Sequence, residues 1–175
     1  ERERGAQEAE AYFEQLMRAF EQVRDHRPDR WPYVKLDLYI TGHGTEAYRD
    51  KLKSRGLNGH IRMHQPLPAR EVFKRIAEAD GVLIFIPSFN KDLLGTKFTE
   101  IFWLRRPVIH VGDAGAVSEA IVSRKLGVSI PVDRLVNELP AILCGERTIT
   151  LEPNVDLSEH LLGSITEGLA IKLLS

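Results

Sequence analysis

The sequence predicts an α/β protein in which helices cover both faces of a doubly wound parallel sheet, giving a three-layer sandwich. Residues 82–86 are continuously apolar, and residues 107–111 are apolar apart from His110, which indicates strands buried on both faces. Helical and strand patterns also alternate along the chain, as in successive β-α-β units. The chain has 175 residues, 43% of them hydrophobic, which is enough for one core. We therefore expect residues 1–175 to form a single domain.

Hydrophobic periodicity and turn residues place the elements in order. The first is an amphipathic helix over about residues 6–26, which Pro28 ends. Another helix begins at Thr96, whose hydroxyl can cap it. Further helices are predicted near residues 45–55, 69–79, 114–124, 132–143 and 156–174. Strands are predicted at residues 34–41, 61–64, 82–86, 107–111, 127–131 and 148–151.

Composition narrows the class of protein. The net charge of −1 predicts no binding to nucleic acid or to acidic membranes. The single cysteine, Cys144, cannot form an intramolecular disulfide and fits a reducing cytoplasm. No apolar run approaches the roughly 20 residues that a membrane-spanning helix needs. The chain opens on a charged helix without an initiator methionine or signal peptide, so we expect a fragment of a longer protein.

The loops after the strands are the predicted ligand site, because ligands of doubly wound sheets bind at the carboxyl ends of the strands. This edge carries residues 42–45, 65–68, 88–96 and 112–115. Gly95, Thr96 and Lys97 stand where a helix begins, so free backbone amides and a lysine can bind phosphate. Glu100 follows Lys97 by three residues on the same helix face, where a carboxylate can accept two ribose hydroxyls.

These residues predict a nucleotide or nucleotide-sugar site. The structural alternative is an exposed Lys97–Glu100 salt bridge worth less than about 1 kcal/mol. The residues alone leave both interpretations open. No histidine or cysteine cluster has the spacing of a metal site, so no metal is predicted.

Five segments in order carry a resemblance to a known family. The first two are YITGHG and IRMHQPLPAREVFKRIAEADGVLIFIPS. The third is a pair of acidic residues, Asp92 and Glu100, with seven residues between them. The last two are PVIHVGDAG and LGVSIPV. Residues 35–131 thus resemble the donor-binding, C-terminal Rossmann-like half of GT-B glycosyltransferases, particularly the retaining family 4. The family usually has glutamate where this chain has Asp92, or Lys91 if the position is counted from Pro87 and Ser88, and it usually has glycine where this chain has Gln65.

The resemblance implies a role for each matching position. Glu100 would hold the ribose hydroxyls, and Gly95, Thr96 and Lys97 would contact the diphosphate. Asp92 would stand near the sugar hydroxyls. Backbone groups from Gln65 to Leu67 would lie along the edge of the nucleotide base. The nucleotide-sugar-binding set is completed by Ser88, Gly42 and Gly44; no catalytic residue is assigned.

The resemblance also implies an activity. The whole enzyme would transfer a sugar from a nucleoside diphosphate sugar to an acceptor, without a metal or other cofactor, in the synthesis of cell-surface glycans or polysaccharides. The acceptor would bind an N-terminal domain absent from this chain, so the fragment alone would be inactive. The implied location is the cytoplasm, with peripheral association of the full-length enzyme at the inner face of the membrane.

Two other classes stay open. Residues 42–47 form a G-x-G-x-x-A pattern between a strand and a helix, which is typical of NAD(P)-binding domains of oxidoreductases. The acidic partner expected about 20 residues on is absent, but Arg62 could favour NADP. The remaining alternative is a Rossmann-like interaction module without a ligand.

Overall fold

A computed structural model describes residues 2–39, 45–93, 96–149 and 151–152. The helices are α1 (Arg2–His26), α2 (Thr45–Ser54), α3 (Ala69–Glu78), α4 (Thr96–Trp103), α5 (Ala116–Ser123) and α6 (Leu135–Leu143). The strands are β1 (Leu36–Tyr39), β2 (Ile61–His64), β3 (Val82–Ile86), β4 (Val108–Gly112) and β5 (Gly127–Ile130). Short 3₁₀ turns span Trp31–Tyr33, Ser88–Asn90 and Val132–Arg134.

The strands form two parallel sheets. One sheet pairs β1 with β2, and the other has the order β3-β4-β5. Among the described residues, no hydrogen-bonded ladder joins the two sheets. The predicted parallel α/β class is therefore confirmed, whereas a single doubly wound sheet in three layers stays a prediction.

The two apolar strands, β3 and β4, differ in how deeply their side chains are buried. Every residue of β4 is buried, as expected for a central strand with a neighbour on each side. In β3 only Ile86 is buried and the other four residues are half-buried. Alternate β3 side chains nevertheless pack in two hydrophobic clusters, Leu83 and Phe85 in one and Ile84 and Ile86 in the other, so the predicted burial on both faces is found in part. In its sheet β3 has a described partner on one side only, so less of it is covered.

Helix α1 organises the main hydrophobic core. Leu16, Met17 and Phe20 are fully buried on one face of this helix. The same cluster includes apolar side chains from both sheets, namely Leu36, Leu38, Leu83, Phe85, Ile109 and Val111. A second cluster joins Val108 of β4 to α4 and α5 through Phe102, Val117 and Ile121. Successive β4 side chains alternate in direction, and accordingly Ile109 and Val111 belong to the first cluster and Val108 to the second.

The described part of the last third departs from the expected elements. The segment predicted as helix 132–143 begins with a 3₁₀ turn before α6. The prediction of a strand at 148–151 is wrong for residues 148, 149 and 151. Instead, Gly145 turns the chain in the left-handed region, and Arg147 N donates to the Ala141 carbonyl at 2.9 Å. The helix predicted at 156–174 lies outside the described residues.

The other predicted elements agree with the structure to within a few residues. Helix α1 begins at Arg2, earlier than expected, and β1 begins at Leu36, separated by two residues from a 3₁₀ turn at Trp31–Tyr33. None of the helices in the described ranges is both long and apolar enough to cross a membrane.

Candidate functional site

The carboxyl ends of β3 and β4 lie side by side and open onto a cleft. Ile86 and Gly112 are partners in the register of the two strands. The cleft beyond them has a volume of about 240 Å³. Its described lining comprises Glu8, Ala11, Phe85, Ile86, Ser88, Gly112, Asp113 and Val132. Residues from α1 thus cover the edge at which the sequence predicts a ligand.

Gly112 and Gly115 let two loops approach closely at this edge. A Cβ atom on Gly112 would lie 2.5 Å from the Ile86 carbonyl oxygen, and the φ of Gly112 is +150°. A Cβ atom on Gly115 would lie 2.4 Å from the Lys91 carbonyl oxygen. Any larger residue at either position would push the loops apart, because such distances are far below van der Waals contact. The sequence 112–115 is therefore a packed rim of the cleft.

Asp92 lies on this rim. Its Oδ1 atom is 2.9 Å from where a Cβ on Gly115 would stand, and Gly115 is the N-cap residue of α5. The amide of Gly115 donates to Ser118 Oγ at 2.8 Å, and that hydroxyl donates back to the Gly115 carbonyl. The start of α5 is thus capped from within the helix, with the exposed Asp92 beside it.

Ser88 begins the turn after β3, and its donors are occupied by Glu8 of α1. Ser88 N donates to Glu8 Oε2 at 2.8 Å, and Ser88 Oγ donates to Glu8 Oε1. The sequence predicts Ser88 at the site but gives no sign of Glu8. The two residues are 80 positions apart, and no spacing or motif in the sequence connects them.

The helix that carries the predicted ribose and diphosphate contacts is present. Helix α4 begins at Thr96, as predicted, and follows the loop after β3. Its residues Phe98, Ile101 and Phe102 pack in the same hydrophobic cluster as Ile86 at the end of β3. Gly95 lies outside the described residues, and so do the side chains of Thr96, Lys97 and Glu100. Their assigned roles stay predictions.

The remaining predicted residues belong to the other sheet. Gln65 and Leu67 follow β2 and are exposed, with 36% of Leu67 accessible. Gly42 and Gly44 lie outside the described residues. The structure therefore brings Ser88 and Asp92 to one edge, and places Gln65 and Leu67 at the carboxyl edge of the two-stranded sheet.

His110 is a buried polar residue below the cleft edge. It is 1% exposed in the middle of β4, and its Nδ1 atom is 2.9 Å from Ser129 Oγ. Burial lowers the pKa of His110, because removal from water disfavours the charged imidazolium. Its Nε2 atom is buried, has no hydrogen-bond partner among the described residues, and lies 3.4 Å from the Cβ position of Gly112. His110 is therefore expected to be neutral at pH 7.

Arg62 does not present a free cation for a phosphate. On neighbouring β-strands, its Nη2 and Nε atoms lie 2.9 Å from the two carboxylate oxygens of Asp37. His64 Nε2 is 2.6 Å from the same carboxylate. Asp37 thus already binds Arg62, the side chain that would have to contact the 2′-phosphate if the chain bound NADP.

Within the described residues, no group of three histidine, cysteine, aspartate or glutamate side chains is placed to hold a metal ion. A scan of the sequence against models of known protein families finds no match.

Proposed function

We propose that this chain is the donor-binding domain of a GT-B glycosyltransferase of the family 4 type, which transfers a sugar from a nucleoside diphosphate sugar to an acceptor. The observation that carries the proposal is the cleft at the carboxyl ends of β3 and β4. Its rim combines the turn at Ser88, the loop at Asp92 and the glycine-bounded loop 112–115. Ligands of open α/β sheets bind at this edge.

The proposal includes a finer fold, in which the two parallel sheets belong to one doubly wound Rossmann-like sheet with three layers. Helix α1 supports it, because one hydrophobic cluster joins this helix to β1 and to β3. All described strand pairs are parallel, as that fold requires. The arrangement would also bring Gln65 and Leu67 to the same edge as Ser88.

The residues take the following roles in the proposed site. Glu100 accepts the two ribose hydroxyls, and the start of α4 at Gly95–Lys97 contacts the diphosphate. Developing charge on the leaving diphosphate is stabilised by backbone amides and basic groups. Asp92 lies near the sugar hydroxyls, and the backbone from Gln65 to Leu67 lies along the edge of the nucleotide base. This chemistry requires no bound metal.

The acceptor belongs to an N-terminal domain of the same enzyme, and transfer occurs in the cleft between the two domains. The 175-residue chain is then inactive alone and binds donor weakly. The full-length enzyme works in the cytoplasm, peripherally associated with the inner face of the membrane, in the synthesis of cell-surface polysaccharide.

A thermal-shift panel tests the proposal with UDP, GDP, their sugars and NADPH. Ligand at one hundred times its Kd stabilises the folded state by about 2.7 kcal/mol, so even weak binding becomes visible at high concentration. We expect a nucleoside diphosphate to raise the Tm of the wild type but not of Glu100→Ala. Glu119→Ala is the matched control, because it removes an exposed carboxylate from the first turn of another helix, α5.

The panel also separates the alternatives. Stabilisation by NADPH alone would reject the donor-domain proposal and favour the dinucleotide-binding class. If none of these ligands raises the Tm, the interaction module is favoured. Equal stabilisation of wild type and Glu100→Ala by UDP would keep a nucleotide site but remove Glu100 from it.

A further inference from the structure

One carboxylate satisfies two hydrogen-bond donors at the carboxyl end of β3. The Ser88 amide donates to Glu8 Oε2 at 2.8 Å, while the Ser88 hydroxyl donates to Glu8 Oε1. Both bonds are partly buried. Hydrogen bonds to an ionised carboxylate are roughly twice as strong as neutral ones. The contact therefore fixes Glu8 at the edge where the ligand is expected.

The two donors of Ser88 form a pair that suits an oxyanion. An amide and a hydroxyl of one residue converge on the two oxygen atoms of a single carboxylate. A phosphate group also presents two acceptor oxygens on one central atom, so it can take the same pair of bonds. In this structure the chain supplies the anion itself.

Helix α1 is held against the Ser88 turn by a second contact. A Cβ atom on Gly5 would lie only 3.0 Å from Cε1 of Phe89. The absence of a side chain at Gly5 thus lets the Phe89 ring approach the helix one turn before Glu8. Helix α1 thus approaches the Ser88 turn at Gly5 as well as at Glu8.

The charge of the cleft opposes an external anion while Glu8 is in place. The charged side chains among its described lining residues are Glu8 and Asp113, both acidic. A phosphate entering the cleft would meet like charge and would find both Ser88 donors occupied. Binding must therefore displace Glu8 from Ser88.

We propose that Glu8 is an autoinhibitory residue, which holds the oxyanion site of Ser88 closed until a phosphate group of the ligand displaces its carboxylate. The identity of that phosphate as part of a nucleotide sugar rests on the proposed function. Competition between Glu8 and an oxyanion does not, so inorganic pyrophosphate is a sufficient probe.

Calorimetric titration of the full 175-residue chain with pyrophosphate tests the proposal, comparing Glu8→Ala with Glu10→Ala. Both substitutions remove one negative charge from the same helix, but Glu10 pairs with Lys51 instead of Ser88. We expect Glu8→Ala to bind pyrophosphate about tenfold more tightly than Glu10→Ala, because only the first substitution releases the Ser88 donors. Adding Ser88→Ala to Glu8→Ala should remove most of that gain.

Amide NMR adds a residue-specific measurement that does not depend on the stability of any one variant. Pyrophosphate should shift the Ser88 amide resonance of Glu8→Ala more strongly than that of the wild type. Equal affinity of Glu8→Ala and Glu10→Ala, or a gain that Ser88→Ala leaves intact, would overturn the autoinhibitory role.

The two proposals fail in different ways. If Glu8→Ala gains pyrophosphate affinity through Ser88 but neither it nor the wild type binds UDP or GDP, the oxyanion site stands and the glycosyltransferase proposal falls. If UDP or GDP binds the wild type and Glu8→Ala with equal affinity, the donor domain stands and the role of Glu8 is rejected.

Discussion

The ring of Tyr12 stacks on the ring of Phe85, with centroids 4.4 Å apart and planes 16° from parallel. This pair joins α1 to β3 one helical turn beyond Glu8. Tyr12 is 9% exposed, and burial raises the pKa of its hydroxyl well above the ordinary value. The stack therefore fixes the distance between α1 and β3, the strand whose carboxyl end borders the cleft.

Removing the Tyr12 ring should destabilise the fold strongly. We expect Tyr12→Ala to lower the free energy of unfolding by about 3–5 kcal/mol, since it deletes a buried aromatic ring and leaves a cavity. Tyr12→Phe keeps the ring and should lose less than about 1.5 kcal/mol. Urea denaturation followed by far-UV circular dichroism measures both. A loss below about 1 kcal/mol in Tyr12→Ala would show that the stack does not hold α1 in place.

Gly112 tests how closely the rim is packed. Gly112 and Gly56 both have positive φ, +150° and +69°, but no atom of the described residues lies within 4 Å of a Cβ on Gly56. Gly56→Ala should therefore cost about 1 kcal/mol from backbone strain alone. Gly112→Ala adds a clash with the Ile86 carbonyl and should cost at least about 2 kcal/mol. Equal costs in chemical denaturation would mean that the rim relaxes freely.

Local sequence patterns were enough to place most elements. The apolar run 82–86 and the short strand 61–64 match β3 and β2, because side-chain periodicity and burial follow directly from residue order. The segment 148–151 was less predictable. Its composition is typical of a strand, but the chain instead turns at Gly145, and Glu152 N donates to the Lys125 carbonyl. Such tertiary bonds leave no local signal.

In the candidate site too, some residues can be predicted from local sequence and others depend on tertiary packing. Ser88 and Asp92 could be predicted because both follow β3, and the end of a parallel strand is a local property. The contact of Ser88 with Glu8 could not, since it depends on how α1 packs across the sheet. No local pattern around Glu8 marks it as part of the site.

Arg55 links α2 to α1 and should contribute measurably to stability. Its Nη2 atom lies 2.7 and 2.8 Å from the two carboxylate oxygens of Glu14, and both side chains are less than a third exposed. We expect Arg55→Ala to cost about 1–2 kcal/mol at pH 7. The matched control is Arg49→Ala, whose partner Glu46 is 82% exposed, and it should cost less than about 0.5 kcal/mol.

The effect of Arg55→Ala should also depend on pH. The hydrogen bond from Arg55 is the largest cause that lowers the pKa of Glu14. A carboxyl whose folded-state pKa is depressed stabilises the fold above its unfolded pKa of about 4.3, and this stabilisation is lost as the pH falls. The difference in unfolding free energy between wild type and Arg55→Ala should therefore shrink between pH 7 and pH 3. A constant difference would assign the loss to packing of the arginine stem.

His110 should make the protein less stable in mild acid. Burial lowers its pKa in the folded state, so the unfolded chain, with a histidine pKa of about 6.5, binds more protons below that pH. Stability contributed by neutral His110 is then present above about pH 6.5 and is lost as the pH falls through the folded-state pKa. At pH 5.5 the loss reaches up to about 1.4 kcal/mol. Urea titrations at pH 7.5 and 5.5 should show this loss in the wild type and in His26→Gln, an exposed histidine, but less of it in His110→Gln. If His110→Gln loses as much stability as the wild type, the acid sensitivity lies in another group.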